Sequence, residues 1–127
     1  MFRIFSKAAD PIPPLGSAQD FDALFDREVL VLFKHSPTCA VSRMAHREVA
    51  RLQTARPEAP IRLISVRNER ALSRYVAERT GVKHESPQVI LMRNGQVVAV
   101  TSQWEIDGDA LADLLRPIQT KEEKRPT

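Results

Sequence analysis

The sequence predicts an α/β fold in which a central mixed sheet of about four strands is flanked by helices. A continuous apolar run at positions 29–34 is typical of a buried strand with a parallel neighbour. Further along, Asn94-Gly95 separates two strand-like segments, and this dipeptide predicts a tight antiparallel hairpin. The chain has 127 residues, enough for one domain with its own core. We therefore predict a single domain over 1–127, with a proline-rich segment at 1–14 and a charged tail at 119–127.

The first half of the chain predicts two helices and two strands. Ser17 is followed three residues later by Asp20, a spacing close to a capping box. After Cys39, apolar residues at steps of four, four and three place one stripe on a helix. These elements are a helix from Ser17 to about Arg27, a strand from Val29 to Lys34, a helix from Cys39 to about Arg56 with its stripe at Val41, Ala45, Val49 and Leu52, and a strand from Ile61 to Val66. The strand-helix-strand order predicts that the two strands are parallel.

The second half predicts a helix, the hairpin and a final helix. Asn68 is placed to cap the third helix and Gly81 to end it, with Leu72, Tyr75 and Val76 facing inward. The hairpin strands run from Gln88 to Arg93 and from Gln96 to Thr101. The last helix begins near Asp107, where Ile106 can pack against Leu111. Its predicted apolar face consists of Leu111, Leu114, Leu115 and Ile118, and Pro117 falls near its end.

Composition and charge argue against two classes of partner. The net charge is +3, but the charges are scattered and only 6% of residues are aromatic, so the pattern of a nucleic-acid-binding surface is missing. The longest apolar run, Val29–Phe33, is far shorter than the roughly 20 residues of a membrane span, and residues 1–7 do not form a secretion signal. We expect neither nucleic acid nor a membrane as partner. The single cysteine favours a reducing, cytoplasmic location.

The one cysteine, Cys39, is the leading candidate for chemistry. It follows a strand at the start of a helix, and a helix N-terminus favours the nucleophilic thiolate. Counted round the helix, Cys39 lies about 120° from the centre of the apolar stripe, which argues against the alternative of an inert buried thiol. With no second cysteine, the chain cannot form an internal disulfide. We expect a reactive thiol without a resolving partner.

Three polar neighbours are candidates to assist this thiol, and a fourth is too distant. Ser42, three residues on, can offer a hydroxyl to the thiolate or, equally, satisfy free backbone donors of the first turn. Lys34 and His35 are candidate cations near the thiolate, and the alternative is that they face solvent at the strand end. His46 lies two turns along the helix, about 10 Å from Cys39, which excludes a direct Cys–His pair.

Two other patterns carry weaker expectations. His35, His46 and His84 lack the spacing of a zinc site, so no metal is predicted. The only tryptophan, Trp104, follows the hairpin and is expected to pack as an apolar anchor rather than stack on a ligand.

Three segments together carry a resemblance to a known family. They are Phe33-Lys34-His35-Ser36-Pro37-Thr38-Cys39-Ala40-Val41-Ser42, Gly81-Val82-Lys83-His84-Glu85-Ser86-Pro87-Gln88-Val89, and Asn94-Gly95 with Thr101-Ser102-Gln103-Trp104. In these the chain resembles the monothiol bacilliredoxins of the thioredoxin-like superfamily. The resemblance implies a thioredoxin-like fold, a cis Pro87 opposite the cysteine, and a backbone contact between Ser86 and substrate. Two positions depart from the family pattern: Ala40 stands where proline is usual, and Gln103 where histidine is frequent.

The resemblance also implies a function. A cytoplasmic thiol-disulfide oxidoreductase would remove bacillithiol from mixed disulfides of other proteins, with no bound cofactor, bacillithiol as thiol co-substrate, and a flavin-dependent bacillithiol disulfide reductase acting downstream. The implied catalytic residues are Cys39 and Ser42, and the implied substrate-binding residues are Lys34, His35, Thr38, Ala40, Ser86, Pro87 and Trp104. Bacillithiol carries malate carboxylates, for which the nearest cations in sequence are Lys34, Arg43 and Lys83. The alternative is a binding module of the monothiol glutaredoxin type that holds an iron–sulfur cluster, although Ala40-Val41 departs from that family's glycine-phenylalanine.

Overall fold

The computed structural model describes residues 10–115 and has helices on both sides of one four-stranded sheet. Its elements in chain order are α1 (Ala18–Leu24), β1 (Leu30–His35), α2 (Ala40–Ala55), β2 (Ile61–Ser65), α3 (Arg70–Thr80), β3 (Gln88–Arg93), β4 (Gln96–Ser102), a 3-10 turn (Gln103–Glu105) and α4, which starts at 108 and continues to 115. The predicted α/β class and element order are confirmed. Pro117, Ile118 and the predicted charged tail lie outside the described residues.

The sheet is mixed and has the strand order β2-β1-β3-β4. As predicted, β1 and β2 are parallel, while β3 and β4 form an antiparallel hairpin. Asn94 and Gly95 both have positive φ, 52° and 81°, as the tight two-residue turn requires. The segment before α1 also contributes, because Leu63 of β2 donates to the Pro13 carbonyl at 2.8 Å and accepts from the Leu15 amide at 2.9 Å. These contacts cover the outer edge of β2.

Two apolar cores form because side chains alternate along each strand. Val31 and Phe33 of β1 face the α2 side, where Ala45, Val49 and Leu52 of α2 and Leu111 and Leu115 of α4 meet them. Leu30 and Leu32 face the other side, covered by Phe21 of α1 and Leu72 and Val76 of α3. The same alternation directs the last two residues of β1, Lys34 and His35, into opposite layers.

The helix ends mostly follow their predicted signals. The Ser17 hydroxyl caps α1 by accepting from the Asp20 amide at 3.0 Å, and Gly81 ends α3 in the left-handed region with φ 75°. The predicted cap at Asn68 is wrong: the residue before α3 is Glu69, whose carboxylate accepts instead from the Ser65 amide at 2.9 Å. That bond holds the end of β2 to the start of α3.

Three smaller expectations also differ from the structure. Helix α1 ends at Leu24 rather than near Arg27, and the turn that follows connects to the hairpin, since the Asn94 amide donates to the Arg27 carbonyl at 3.0 Å. Leu114, predicted inward, is 39% exposed, because the inward stripe of α4 runs through Leu111 and Leu115. Tyr75 is only half-buried, and its hydroxyl donates to Asp22 at 2.8 Å.

Candidate functional site

The site residues come together at one edge of the sheet. The β1–β2 register pairs His35 with Ser65, so the carboxyl ends of these parallel strands coincide. The antiparallel registers pair Lys34 with Gln88 and Gln88 with Ser102. The same edge therefore carries the turn after β1, the loop after β2, the segment before β3 and the turn after β4.

Cys39 occupies the N-cap position of α2, one residue before the 16-residue helix begins. Its backbone is extended (φ −100°, ψ 128°), its amide donates to the Ser36 carbonyl at 3.0 Å, and its carbonyl accepts from the Arg43 amide at 2.9 Å. The side chain caps no helix amide and is half-buried as a free thiol. The helix start is where the sequence predicted it, so Cys39 lies at the end of α2 whose first N–H groups have no partner within the helix.

Ser42 is fully buried and holds the turn that leads to the cysteine. Its Oγ accepts from the Ser36 amide at 2.8 Å and lies 2.8 Å from His35 Nδ1. Ser42 therefore satisfies a backbone donor, although this donor precedes the helix and does not belong to its first turn. A catalytic role for Ser42 stays a prediction.

His35 is buried in the layer between β1 and α2, with only 8% of its surface exposed. Its ring stacks on Phe33 with centroids 5.3 Å apart and lies 4.8 Å from the ring of His46. Burial, and then the nearby His46, lower the pKa of His35 to about 4. The ring is therefore neutral at pH 7, and both predicted roles, a cation beside the thiolate and a solvent-facing residue, are wrong.

Lys34 lies in the opposite layer and is completely buried. Its Nζ donates to the Ser73 carbonyl of α3 at 3.2 Å and to His84 Nδ1 at 3.3 Å. Desolvation by burial lowers the pKa of Lys34 to about 8. The expectations that Lys34 faces solvent or contacts substrate are wrong in this structure, because strand alternation turns it beneath α3.

His46 sits on the far side of the stack from the cysteine turn. Its Nε2 lies 2.9 Å from the carboxylate of Asp10, which anchors the N-terminal segment to α2. As predicted, it takes part in no direct pair with Cys39.

The peptide bond between Ser86 and Pro87 is cis, as the resemblance implied. The Pro87 carbonyl accepts from the Gln103 amide at 3.0 Å, and the Ser86 carbonyl accepts from Gln103 Nε2 at 3.2 Å. Gln103 adopts a positive φ of 57° at the end of β4 to make these contacts. Sequence reasoning noted Gln103 only as a departure from a family pattern and missed its contacts with both residues of the cis bond.

Trp104 does not pack as predicted. It is 71% exposed on the 3-10 turn, and Ile106, two residues later, enters the core in its place. Trp104 lines a shallow groove together with Val41 and Met44 of α2. An exposed aromatic side chain at the site edge is compatible with the implied substrate contact, which stays a prediction.

The remaining implied positions, Thr38 and Ala40, flank the cysteine in sequence and are at least partly exposed. Arg67, from the loop after β2, donates to Thr38 Oγ1 at 3.1 Å. Together with Arg70 and Arg74 of α3, it lines a second groove that sequence reasoning missed. The spacing of Arg70 and Arg74, four residues apart just after a strand end, was the available signal.

This fold and the position of the cysteine define a thioredoxin-fold protein. A solved structure described as a putative oxidoreductase with a thioredoxin fold is 31% identical, covers 80% of this chain and 91% of its own, and superposes with a TM-score of 0.74. A mutant thioredoxin from Halobacterium salinarum NRC-1 is 24% identical over 86% of this chain and 92% of its own (TM-score 0.61). Thioredoxin from Trypanosoma brucei brucei is 16% identical over 90% and 96% (TM-score 0.69). The latter two likenesses concern the fold alone.

The family follows from the sequence match. The family model of monothiol bacilliredoxin BrxC matches residues 14–111, and the chain belongs to that family. It is accordingly a thiol oxidoreductase, and the one cysteine of its sequence, Cys39, is a free thiol in the structure. Among residues 10–115, no helix is both long and apolar enough to cross a membrane.

Proposed function

We propose that this protein removes bacillithiol from mixed disulfides of other proteins, using Cys39 as the only nucleophile. The observation that carries the proposal is the half-buried Cys39 at the N-cap of α2, in a chain of the monothiol bacilliredoxin family that has one cysteine in its whole sequence. The thiolate is the form of a cysteine that attacks a disulfide. The cytoplasm, where free thiols persist, is the compartment that suits this chemistry.

In the first step, the Cys39 thiolate attacks the bacillithiol sulfur of the mixed disulfide. A new sulfur–sulfur bond joins Cys39 to bacillithiol, the original bond breaks, and the target protein leaves as a thiolate that takes a proton from solvent. The number of disulfide bonds is unchanged, so this step needs no external electrons.

The second step requires another thiol, because no second cysteine can displace bacillithiol. A free bacillithiol thiolate attacks the bacillithiol sulfur bound to Cys39, forming bacillithiol disulfide and regenerating the Cys39 thiolate. A flavin-dependent bacillithiol disulfide reductase then supplies two electrons and returns two bacillithiol molecules. That reductase is the partner we propose downstream.

The surrounding residues support exchange by holding the cysteine turn in place. Ser42 fixes the Ser36 amide, and the Ser36 carbonyl in turn accepts from the Cys39 amide. Across the edge, Gln103 holds the carbonyls of Ser86 and Pro87. A rigid turn leaves less conformational freedom to lose when the mixed disulfide forms.

The test is a de-thiolation assay with a small protein that carries bacillithiol on its one cysteine. Reduced protein is added, and intact mass spectrometry follows both chains with time. We expect the target to lose the bacillithiol mass while the same mass appears on Cys39. Free bacillithiol should then clear the Cys39 adduct.

Two variants serve as controls for the dependence of the reaction on Cys39. The Cys39→Ala variant should leave the target modified, whereas Thr54→Ala, a change at an exposed position near the other end of α2, should retain the reaction. Equal rates for targets carrying bacillithiol and glutathione would contradict the specificity. Absence of any Cys39 adduct, with a Cys39-dependent cluster absorbance after anaerobic reconstitution, would support the iron–sulfur alternative instead.

A further inference from the structure

A basic groove opens next to the cysteine turn on the α3 side of the sheet. It encloses about 680 Å³ and is lined by Ser36, Val66, Arg67, Arg70, Ser73, Arg74, Ala77 and His84. Arg70, Arg74 and Ala77 recur at helical spacing on one face of α3, while Arg67 approaches from the preceding loop. Three guanidinium groups therefore share one concave surface.

These arginines lack acidic partners within residues 10–115. None of the ion pairs formed by Asp10, Glu48 and Asp22 reaches the groove. Glu69, which precedes α3, keeps its negative charge, but it forms no ion pair with these arginines, and its Oε1 accepts from the Ser65 amide at 2.9 Å. Arg67 makes one neutral contact, with Thr38 Oγ1 at 3.1 Å. The groove thus presents three guanidinium groups that form no ion pair within the described part of the protein.

The base of the groove adds to this positive field. Ser73 is 4% exposed, and its Oγ lies 3.2 Å from His84 Nδ1. The same His84 nitrogen accepts from the buried ammonium of Lys34 at 3.3 Å. The acidic residue that interacts electrostatically with His84 is Glu85, which is exposed to solvent. The Lys34 ammonium lies beneath the groove, and three arginine guanidinium groups line it. Together these positive charges favour an anionic ligand.

The groove is also joined to the cysteine turn. Ser36 belongs to the groove wall, and its carbonyl accepts the Cys39 amide hydrogen at 3.0 Å. Arg67 contacts Thr38, the residue immediately before the cysteine. A molecule seated in the groove would therefore border the turn that carries Cys39.

We propose that the groove formed by Arg67, Arg70 and Arg74 binds the malate carboxylates of bacillithiol while its sulfur is exchanged at Cys39. This assignment rests on the proposed function. Guanidinium groups suit two neighbouring carboxylates because each can donate two parallel hydrogen bonds to one of them. It differs from the prediction based on cations near in sequence, because Lys34 is buried and Arg43 Nη1 is directed to the Pro37 carbonyl at 3.5 Å. A contact with the third of those cations, the exposed Lys83, stays a prediction.

The first experiment compares an anionic and a neutral disulfide. Reduced wild type and the Arg70→Gln/Arg74→Gln double variant are mixed with bacillithiol disulfide or with bis(2-hydroxyethyl) disulfide, and the rate of Cys39 adduct formation is measured. Two exposed ion pairs predict a loss of about 5- to 10-fold with bacillithiol disulfide. The rate with the neutral disulfide should stay within about twofold, since Coulomb attraction is absent.

A matched control separates local binding from net charge. Arg93→Gln removes a charge at the opposite end of β3, beside the Asn94-Gly95 turn, and should change neither rate appreciably. Circular dichroism confirms that each variant is folded. Equal losses for both disulfides in the double variant, or wild-type rates with bacillithiol disulfide, would overturn the groove assignment.

A second readout does not depend on the reaction. The Cys39→Ser protein is titrated with bacillithiol disulfide and followed by amide NMR, with shifts expected at Ser36, Arg70 and Arg74 and lost in the double variant. Shifts elsewhere, or none, would refute the groove. If wild type forms no adduct but these shifts appear, the proposed function fails while the groove stands. Adduct formation without the shifts refutes the groove and leaves the proposed function standing.

Discussion

Acid should destabilise this protein through His35. Above pH 6.5 the ring is mostly neutral in both the folded and the unfolded chain, so it adds little pH dependence there. Between pH 6.5 and about pH 4 the unfolded chain takes up a proton that the folded chain, with its lowered pKa, does not. Stability therefore falls as pH falls through this window and the loss is complete below about pH 4. At about 1.4 kcal/mol per pKa unit, this amounts to ~3 kcal/mol.

The His35→Gln variant isolates that contribution, because glutamine does not titrate and its amide can still reach Ser42. Urea unfolding of both proteins is measured at several pH values from 7 to about 4. We expect the stability of wild type relative to the variant to fall by about 2 to 3 kcal/mol across this range. A His46→Gln control should lessen the loss, since His46 is the second cause of the low pKa. Parallel pH curves for wild type and His35→Gln would refute the reasoning.

Two further predictions concern the buried polar residues around the site. Lys34→Met should stabilise the protein by about 1 to 3 kcal/mol at pH 7, because it removes a desolvated charge. This stabilisation should shrink as pH rises from about 8 to 10.5, since in that range Lys34 stays protonated in the unfolded chain but loses its proton in the folded one. Urea titrations at pH 7 and pH 10 test this, and a variant less stable at both would contradict it. Ser42→Ala should lower the free energy of unfolding by about 1 to 3 kcal/mol, because the Ser36 amide loses its acceptor at 2.8 Å. Thermal unfolding measures this loss, and an unchanged melting temperature would refute the prediction.

Local sequence signals predicted most of the fold because they act over a few residues. Ser17 caps α1, Gly81 ends α3, and Asn94-Gly95 forms the hairpin turn as expected. Asn68 does not cap α3 as predicted, and the cause is a contact between two elements. The Glu69 carboxylate accepts from the Ser65 amide at the end of β2, and the helix starts after Glu69.

The site was only partly predictable for a related reason. Cys39 was identified from its position between a strand and a helix, and the cis Pro87 was implied by the family resemblance; both lie at the same edge of the sheet. The burial of Lys34 depends on α3, where its hydrogen-bond acceptor Ser73 is 39 residues away in sequence. The exposure of Trp104 likewise depends on Ile106 filling the core in its place.

The sequence by itself determined the chemistry: one thiol, at the start of a helix, with no internal partner. It also determined most of the secondary structure, because caps, turns and apolar periodicity are local properties. Only the tertiary structure decided which polar side chains are neutral or buried and which cations surround an open groove. Those properties depend on the helices that pack over each strand. The residues of these helices are distant in the chain, and they set the contacts and the local dielectric around each polar side chain.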